Sequence, residues 1–334
     1  MTKKIRWGVL GAANIAVKKV IPAMQRGRFC EIGAIASRDP EKARRAAEAL
    51  GVGKFYASYD DLLADPDIDA VYNPLPNNLH VEWSIKAAEA GKHVLCEKPV
   101  AMNAAEVEKL IAAERRTGVK IGEAFMVRTH PQWTTARDLI GSGRIGEVQA
   151  ITGFFSYFNA DAGNIRNRTE TGGGALYDIG CYCINTARFV LGGEPRRVAA
   201  SIARDPDSGV DKLTSAILDF AGVHAAFTCA TQLVAHQRMQ FFGSRGRLEI
   251  EIPFNIPPDT PTRILIDDGS DLYGRGIETI EIPAADQYTI QGDLFARAII
   301  ENRPPAVPLA DSLKNTAVID AVFRAAANGA WEKV

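Results

Sequence analysis

No run of this chain approaches the ~20 consecutive apolar residues that a membrane-spanning helix needs, so the sequence predicts no membrane partner. It also lacks an excess of charge of either sign. The 39 Lys and Arg residues stand against 40 Asp and Glu, a formal net charge of −1. That balance offers no basic field to draw nucleic acid or an anionic membrane. Cysteine is scarce. The five residues Cys30, Cys96, Cys181, Cys183 and Cys229 are odd in number and irregularly spaced. This argues against a disulfide framework and for a reducing compartment. Neither a C-x-x-C nor an H-E-x-x-H pattern occurs, so no metal site is read. The opening stretch, Met1 to Leu10, passes straight into a strand-like run, with no long apolar segment or cleavage site of a signal peptide. The expectation is a cytoplasmic protein.

What is present is enough chain, 334 residues, for two domains that each bury a core. The region 1–125 alternates strand-like and helix-like patterns, the mark of a parallel sheet covered on both faces. Strands are expected at Ile5–Leu10, Glu31–Ala36, Asp69–Tyr72, His93–Leu95 and Lys120–Ala124. Asp39-Pro40-Glu41 has a cap residue followed by Pro, a helix start. Asn103-Ala104-Ala105-Glu106 is a capping-box pattern for another helix, running to Thr117-Gly118. Region 126–334 reads as consecutive β-type runs with short turns, and so as a largely antiparallel sheet. These runs are Gln149–Phe158, Arg197–Ala203, Thr214–Phe220, His224–Thr231, Met239–Phe242, Arg247–Ile252, Arg263–Ile266 and Glu278–Ile282. Helical patterns fall at Gly174–Leu191, near Gln291–Asn302 and at Ala310–Asn328. The predicted fold class is α/β: a doubly wound parallel sheet at 1–125, then an α+β domain with a large open, mostly antiparallel sheet at 126–334.

Gly11-Ala12-Ala13-Asn14-Ile15-Ala16 follows the first strand and opens a helix, as a relaxed G-x-G-x-x-G/A. Gly11 keeps the first glycine, while Ala13 and Ala16 replace the other two. Small residues here let the backbone approach a pyrophosphate at the helix N-terminus. A plain tight βα turn is the other reading, and the surrounding βαβ pattern favours the cofactor. At the end of the second strand, where an acidic residue would bind a ribose 2′-OH, the chain has Ser37-Arg38-Asp39. A hydroxyl and a guanidinium suit a 2′-phosphate, so NADP is expected, with NAD possible through Asp39. Pro74, Leu75 and Asn77, with Asn14 and Ile15, complete the candidate cofactor set, and His80 is placed near the nicotinamide.

Cys96-Glu97-Lys98-Pro99 ends the run His93-Val94-Leu95, at the edge where open α/β sheets bind ligands. Lys98 reads either as a solvated loop residue or as a charge that stabilises an alkoxide. In Gly172-Gly173-Gly174-Ala175-Leu176-Tyr177-Asp178-Ile179-Gly180-Cys181-Tyr182, the glycines are expected to form a mobile loop running into a helix. Asp178 and Tyr182 are four apart and would share one helix face. A Lys cation nearby would draw the Tyr182 phenol down toward a working range, and a half-buried structural Tyr is the other reading. Asn159, Asn164, Ile165 and Arg166, with Arg128, His130 and Trp133, could line a substrate site. Salt bridges and surface loops are the alternatives for Arg128 and Arg166.

Taken together, Gly11–Ala16, Pro76-Asn77-Asn78-Leu79-His80, Glu97-Lys98-Pro99 and Gly172–Tyr182 resemble the glucose–fructose oxidoreductase/inositol dehydrogenase (Gfo/Idh/MocA) family over nearly the whole chain. The resemblance implies a Rossmann domain, a second domain that often mediates oligomers, and a substrate pocket between them. It further implies a catalytic Lys98, a cis Pro99 and a Glu97 in the cofactor pocket. Many members have His where this chain has Tyr182. In that it is similar to the branch of NADP-dependent D-xylose 1-dehydrogenases and dimeric dihydrodiol dehydrogenases, where the Tyr is the acid/base. The expected function is therefore NADP-dependent oxidation of an aldose at C1 to the lactone. Tyr182 would accept the proton, Lys98 would be its electrostatic partner, and Asp178 would orient a substrate hydroxyl. Alternatives are turnover of 1,5-anhydrofructose, a trans-dihydrodiol or an inositol, or a non-catalytic NADP sensor. An exposed sheet face would favour a homodimer or homotetramer.

Overall fold

A computed structural model describes residues 3–334. By contacts the chain divides into two compact units. One holds the described residues up to Met126 together with Asp286–Leu313, and the other holds Val127–Ala285 and Lys314–Val334.

The first unit is built on six parallel strands: β1 (Ile5–Leu10), β2 (Cys30–Ala36), β3 (Lys54–Tyr56), β4 (Ala70–Asn73), β5 (His93–Cys96) and β6 (Ile121–Glu123). Their order is β3-β2-β1-β4-β5-β6, a doubly wound sheet whose direction of growth switches between β1 and β4. Ile5, Trp7, Val9 and Leu10 of β1 are all buried, as a strand covered on both faces requires. The edge strand β3 has three residues, none of them buried, so its sequence carried no apolar signature. The expected caps form. Asp39 accepts from the Lys42 N–H at 3.1 Å and starts the helix Pro40–Leu50. The Asn103 carboxamide oxygen accepts from the Glu106 N–H at 3.0 Å, and Glu106 in return accepts from the Met102 N–H at 3.0 Å.

Residues 286–313, assigned from sequence to the second domain, pack with the first unit instead. The helix Gln287–Ile300 places Asp293 under the start of β2, where it accepts from the Arg28 N–H at 2.9 Å and the Phe29 N–H at 2.8 Å. Phe295 lies 5.6 Å from Trp7, centroid to centroid. Burial of a side chain of that size contributes about 1.5–3 kcal/mol toward seating a returning segment that a linear reading cannot assign.

The second unit carries nine strands: β7 (Val148–Phe158), β8 (Arg197–Arg204), β9 (Asp211–Asp219), β10 (His224–Ala230), β11 (Gln232–Gly243), β12 (Gly246–Ile250), β13 (Thr262–Asp267), β14 (Ile277–Ile282) and β15 (Glu332–Lys333). Their order is β14-β13-β12-β11-β7-β10-β9-β8-β15. β7 and β10 pair in parallel; the other pairs are antiparallel. On β9, Thr214, Ala216 and Leu218 are buried while Ile217 is 41 % exposed, so one face is packed and the other open. β11 starts seven residues before its expected apolar core at Met239; its first half mixes polar residues with the exposed Val234, and its register against β7 shifts between Gln232 and His236. The segment expected as one helix at Gly174–Leu191 is a π-helical turn, Leu176–Gly180, leading into an α-helix, Cys181–Leu191.

Candidate active site

In the first unit the candidate residues lie on the loops at the carboxyl ends of β1, β2, β4 and β5. Gly11 has φ +104°, and a Cβ on it would stand 3.2 Å from Leu75, so the turn after β1 needs a glycine and leaves its backbone bare. The helix begins immediately afterwards, at Asn14. Ala13 and Ile15 are half-buried, and Asn14 is exposed. After β2, the buried Ser37 takes the Asp39 N–H on its hydroxyl oxygen at 3.2 Å. Arg38 is exposed and makes no ion pair with the described residues. One Asp39 oxygen is committed to capping the next helix. These residues fit a dinucleotide, with a bare turn and a helix start for the pyrophosphate and an exposed guanidinium for a 2′-phosphate.

The loop after β4 is tied down from below. Asn73 is fully buried; its side chain donates to the His80 carbonyl and the Ser84 hydroxyl, each at 3.1 Å, and accepts from the Leu75 N–H at 3.3 Å. Pro74 is buried with Leu75, and Asn77 opens a short 3₁₀ turn that leads into the helix His80–Glu89. His80 is fully buried, so its side chain is not a surface for a ligand. Its two ring nitrogens lie 2.7 Å from the Leu75 and Pro99 carbonyl oxygens, linking the loop after β4 to the loop after β5. Both nitrogens face acceptors, which favours the cation. Complete burial opposes it and, with Lys98 nearby, pushes the pKa down to about 4. A second positive charge without solvent is the greater cost, so the ring is neutral and donates through one nitrogen. Glu97 and Lys98 are half-buried, the Lys98–Pro99 bond is cis, and the Tyr72 hydroxyl donates to Glu97. Tyr288, on the returning helix, has its phenol pushed up by burial and by the charges of Glu97 and Asp286.

In the second unit Asp178 is the centre of a cluster. It accepts from the Tyr157 hydroxyl at 2.5 Å, and the Arg166 Nε lies 3.1 Å from the same oxygen. Burial, and then the Asp178 charge, push the Tyr157 phenol well above its usual range. Tyr182 is 5 % exposed, its ring 5.5 Å from that of Phe254 and 6.0 Å from that of Phe155. Because Asp178 stands in a π turn, its relation to Tyr182 is not the plain four-residue spacing expected of an α-helix. In the glycine turn, expected as a mobile loop, the Gly173 and Gly174 N–H groups donate to the Arg168 and Arg166 carbonyls at 2.9 Å each.

The other polar candidates divide. Arg128 stacks over Phe189 at 4.4 Å and donates to Asn185 at 3.3 Å. Asn159 accepts from the Asp161 N–H at 3.0 Å and from the Asn167 side chain at 3.2 Å, which fixes the loop after β7. The Asn164 side chain turns back to the Arg166 N–H at 3.0 Å, and Ile165 is 40 % exposed. Two candidates are structural. His130 is buried and caps the helix Pro131–Gly141 through the Gln132 N–H, and Trp133 is fully buried with its indole N–H on the Pro253 carbonyl at 2.6 Å.

The chain matches two family models. Residues 5–125 match the oxidoreductase family with an NAD-binding Rossmann fold, and residues 133–249 match the GFO/IDH/MocA C-terminal domain. The chain belongs to the GFO/IDH/MocA oxidoreductase family. An uncharacterized oxidoreductase of Rhizobium meliloti is 48 % identical, covering 99 % of each chain. A D-xylose 1-dehydrogenase (NADP(+)) of Haloferax volcanii is 38 % identical over 97 % of this chain and 98 % of its own. Among solved structures, a 3-ketoreductase from Actinomadura kijaniata in complex with NADP and TDP-benzene superposes with a TM-score of 0.91 at 34 % identity, covering 97 % of this chain and 98 % of the other.

Within this GFO/IDH/MocA chain, sequence reasoning missed Tyr157, Tyr288 and Asp211. Tyr157 lies in an expected strand with no motif around it, and Tyr288 sits on the helix assigned to the wrong unit. Asp211, outside the expected strand Thr214–Phe220, is 2 % exposed. An Asp three residues before the expected strand Thr214–Phe220 was the available signal.

Proposed function

We propose that this oxidoreductase uses NADP⁺ to oxidise an aldose at C1 to the lactone, with Lys98, Asp178 and Tyr182 as its catalytic residues. The observation that carries the reading is the cluster at the helix start. Asp178 is held by Arg166 and Tyr157, and Tyr182 follows four residues later on the same helical segment. Asp178, oriented by two donors, keeps a carboxylate available to accept a sugar hydroxyl. Tyr182 removes the C1 hydroxyl proton, and the Lys98 ammonium stabilises the oxyanion that develops as that proton leaves. When bound, the nicotinamide supplies the acceptor for the C1 hydride. The turn at Gly11 holds the pyrophosphate, and Ser37 and Arg38 hold the 2′-phosphate. Similarity to the Haloferax D-xylose 1-dehydrogenase supports this choice of substrate.

A second reading, reduction of a keto sugar, is supported by the likeness to the Actinomadura 3-ketoreductase. Purified protein assayed with NADP⁺ or NAD⁺ against a panel of aldoses separates the two. Turnover of at least one aldose, with lactone seen by NMR and NADP⁺ preferred, is the expected result. No turnover of any aldose, alongside NADPH-dependent reduction of a keto sugar, would replace the first reading with the second.

A further inference from the structure

We propose that Asp211 is a positioning residue for this reaction: its carboxylate fixes the Gly172–Gly174 turn and the start of the helical segment that presents Asp178 and Tyr182. The proposal rests on the catalytic roles given above to those two residues. Asp211 begins β9 and is 2 % exposed. One carboxylate oxygen accepts from the Leu176 N–H at 2.7 Å and from the Thr214 hydroxyl at 2.9 Å. Leu176 is the first residue of the π turn, so its N–H belongs to the donors that a helix start leaves without an internal acceptor. The other oxygen fills the space beside Gly174, which has φ +117°; a Cβ there would stand 1.9 Å from Asp211 Oδ1. On its far side the turn is bonded through Gly173 and Gly174 to the carbonyls of Arg168 and Arg166.

The turn is thus gripped between the Arg166–Arg168 backbone and one buried carboxylate. Asp178 stands two residues beyond Leu176, and its partner Arg166 belongs to the opposite jaw of the same grip. A shift of the turn would move the acceptor and its donor apart. This accounts for the burial of Gly172 and Gly174. Of the groups on neighbouring strands, Arg204 of β8, its register partner, favours the Asp211 charge, and that charge in turn helps to raise the buried Cys229 thiol of β10. Burial opposes the charge and brings the pKa up to about 6.

The test compares Asp211→Ala, Asp211→Asn and Tyr182→Phe in the full chain by hydrogen–deuterium exchange and by kinetics with the aldose that the panel identifies. For Asp211→Ala, exchange in peptides covering 172–182 is expected to rise about tenfold or more while the first unit keeps its protection. kcat is expected to fall roughly 100-fold, the scale of a reacting group displaced by about 1 Å, with NADP affinity little changed. Asp211→Asn keeps an oxygen for Leu176, so it should recover most of the protection and lose the acidic limb of the kcat profile near the pKa of Asp211. Wild-type exchange at 172–182 in Asp211→Ala overturns the proposal, and so does a rise spread evenly over the chain. If the alanine variant does not fold, an asparagine variant with an unchanged pH profile does the same. Full activity in Tyr182→Phe would defeat the functional reading, while the exchange result still decides the role of Asp211.

Discussion

In the six-stranded unit the candidate groups come from loops at the carboxyl ends of parallel strands; in the nine-stranded unit they come from one helical segment and the residues that brace it. The parallel sheet is buried on both faces, so its functional loops are short and their position follows from strand order. Gly11, Ser37, Leu75 and Lys98 each follow a strand directly or within two residues. The mixed sheet has an open face, and its order places β7 beside β10 and β11. There, Asp178 depends on Tyr157, 21 residues earlier, and Leu176 on Asp211, 35 residues later. The candidate site of one unit is local in sequence, and that of the other is assembled across the sheet.

The largest expected effect sharpens that contrast at its chemical centre. Tyr182→Phe removes the proposed proton acceptor from the second unit without touching the loops of the first. kcat should fall about 10²–10⁴-fold, the usual range for loss of a general base. NADP binding, followed by fluorescence titration, should stay within about twofold of wild type, since no cofactor contact is assigned to that side chain. Equal losses in both would break the division of labour. Lys98→Ala, in the first unit, should likewise cut turnover strongly with a modest loss of NADP affinity, measured in the same way.

Much of the first unit was legible because its physics is local. A buried parallel strand is a short apolar run, a helix start is a cap with Pro or Glu behind it, and a positive-φ turn is a glycine. The second site was legible as residues and not as geometry. Tyr182 and Asp178 stood out beside the glycines, but the π turn, the Tyr157 donor and the Asp211 grip are made by pairing over long sequence distances. His80 shows the same limit within the first unit. The motif pointed to it, while its bonds to the Leu75 and Pro99 carbonyls make its side chain a buried link between two loops, which no motif shows. The returning helix Gln287–Ile300 was readable as a helix, but nothing in its sequence says which sheet it covers.

A smaller effect tests whether the bracing in the second unit has an energetic cost. The Asp211 pKa is about 6 in the folded chain against the ordinary aspartate value of 3.8, so the native state binds the proton more tightly than the unfolded state. The stabilisation this supplies is fully present below the unfolded value and is lost as pH rises through about 6. Two pKa units correspond to roughly 3 kcal/mol as an upper bound. The stability of wild type relative to Asp211→Asn, from denaturant titrations at a series of pH values, should therefore decline between pH 4 and pH 7. A difference that is flat across that range would mean that Asp211 stays ionised throughout, and the cost assigned to its burial would be wrong.

The smallest effect is expected at Arg38, where the first unit is most exposed. Its guanidinium makes no ion pair with the described residues, so Arg38→Ala removes nothing that holds the fold, and stability should change by less than about 0.5 kcal/mol. A hydrogen bond to a charged group contributes about 1.5–3 kcal/mol, so the Kd for NADP should rise roughly tenfold to a hundredfold while that for NAD stays nearly constant. Asp39 cannot readily take over, because one of its oxygens caps the helix Pro40–Leu50. Titrating both cofactors against wild type and variant gives the ratio directly. A ratio that does not move would place the discriminating group elsewhere, and with it would fall the argument that in this unit a loop carries its function in its own few residues.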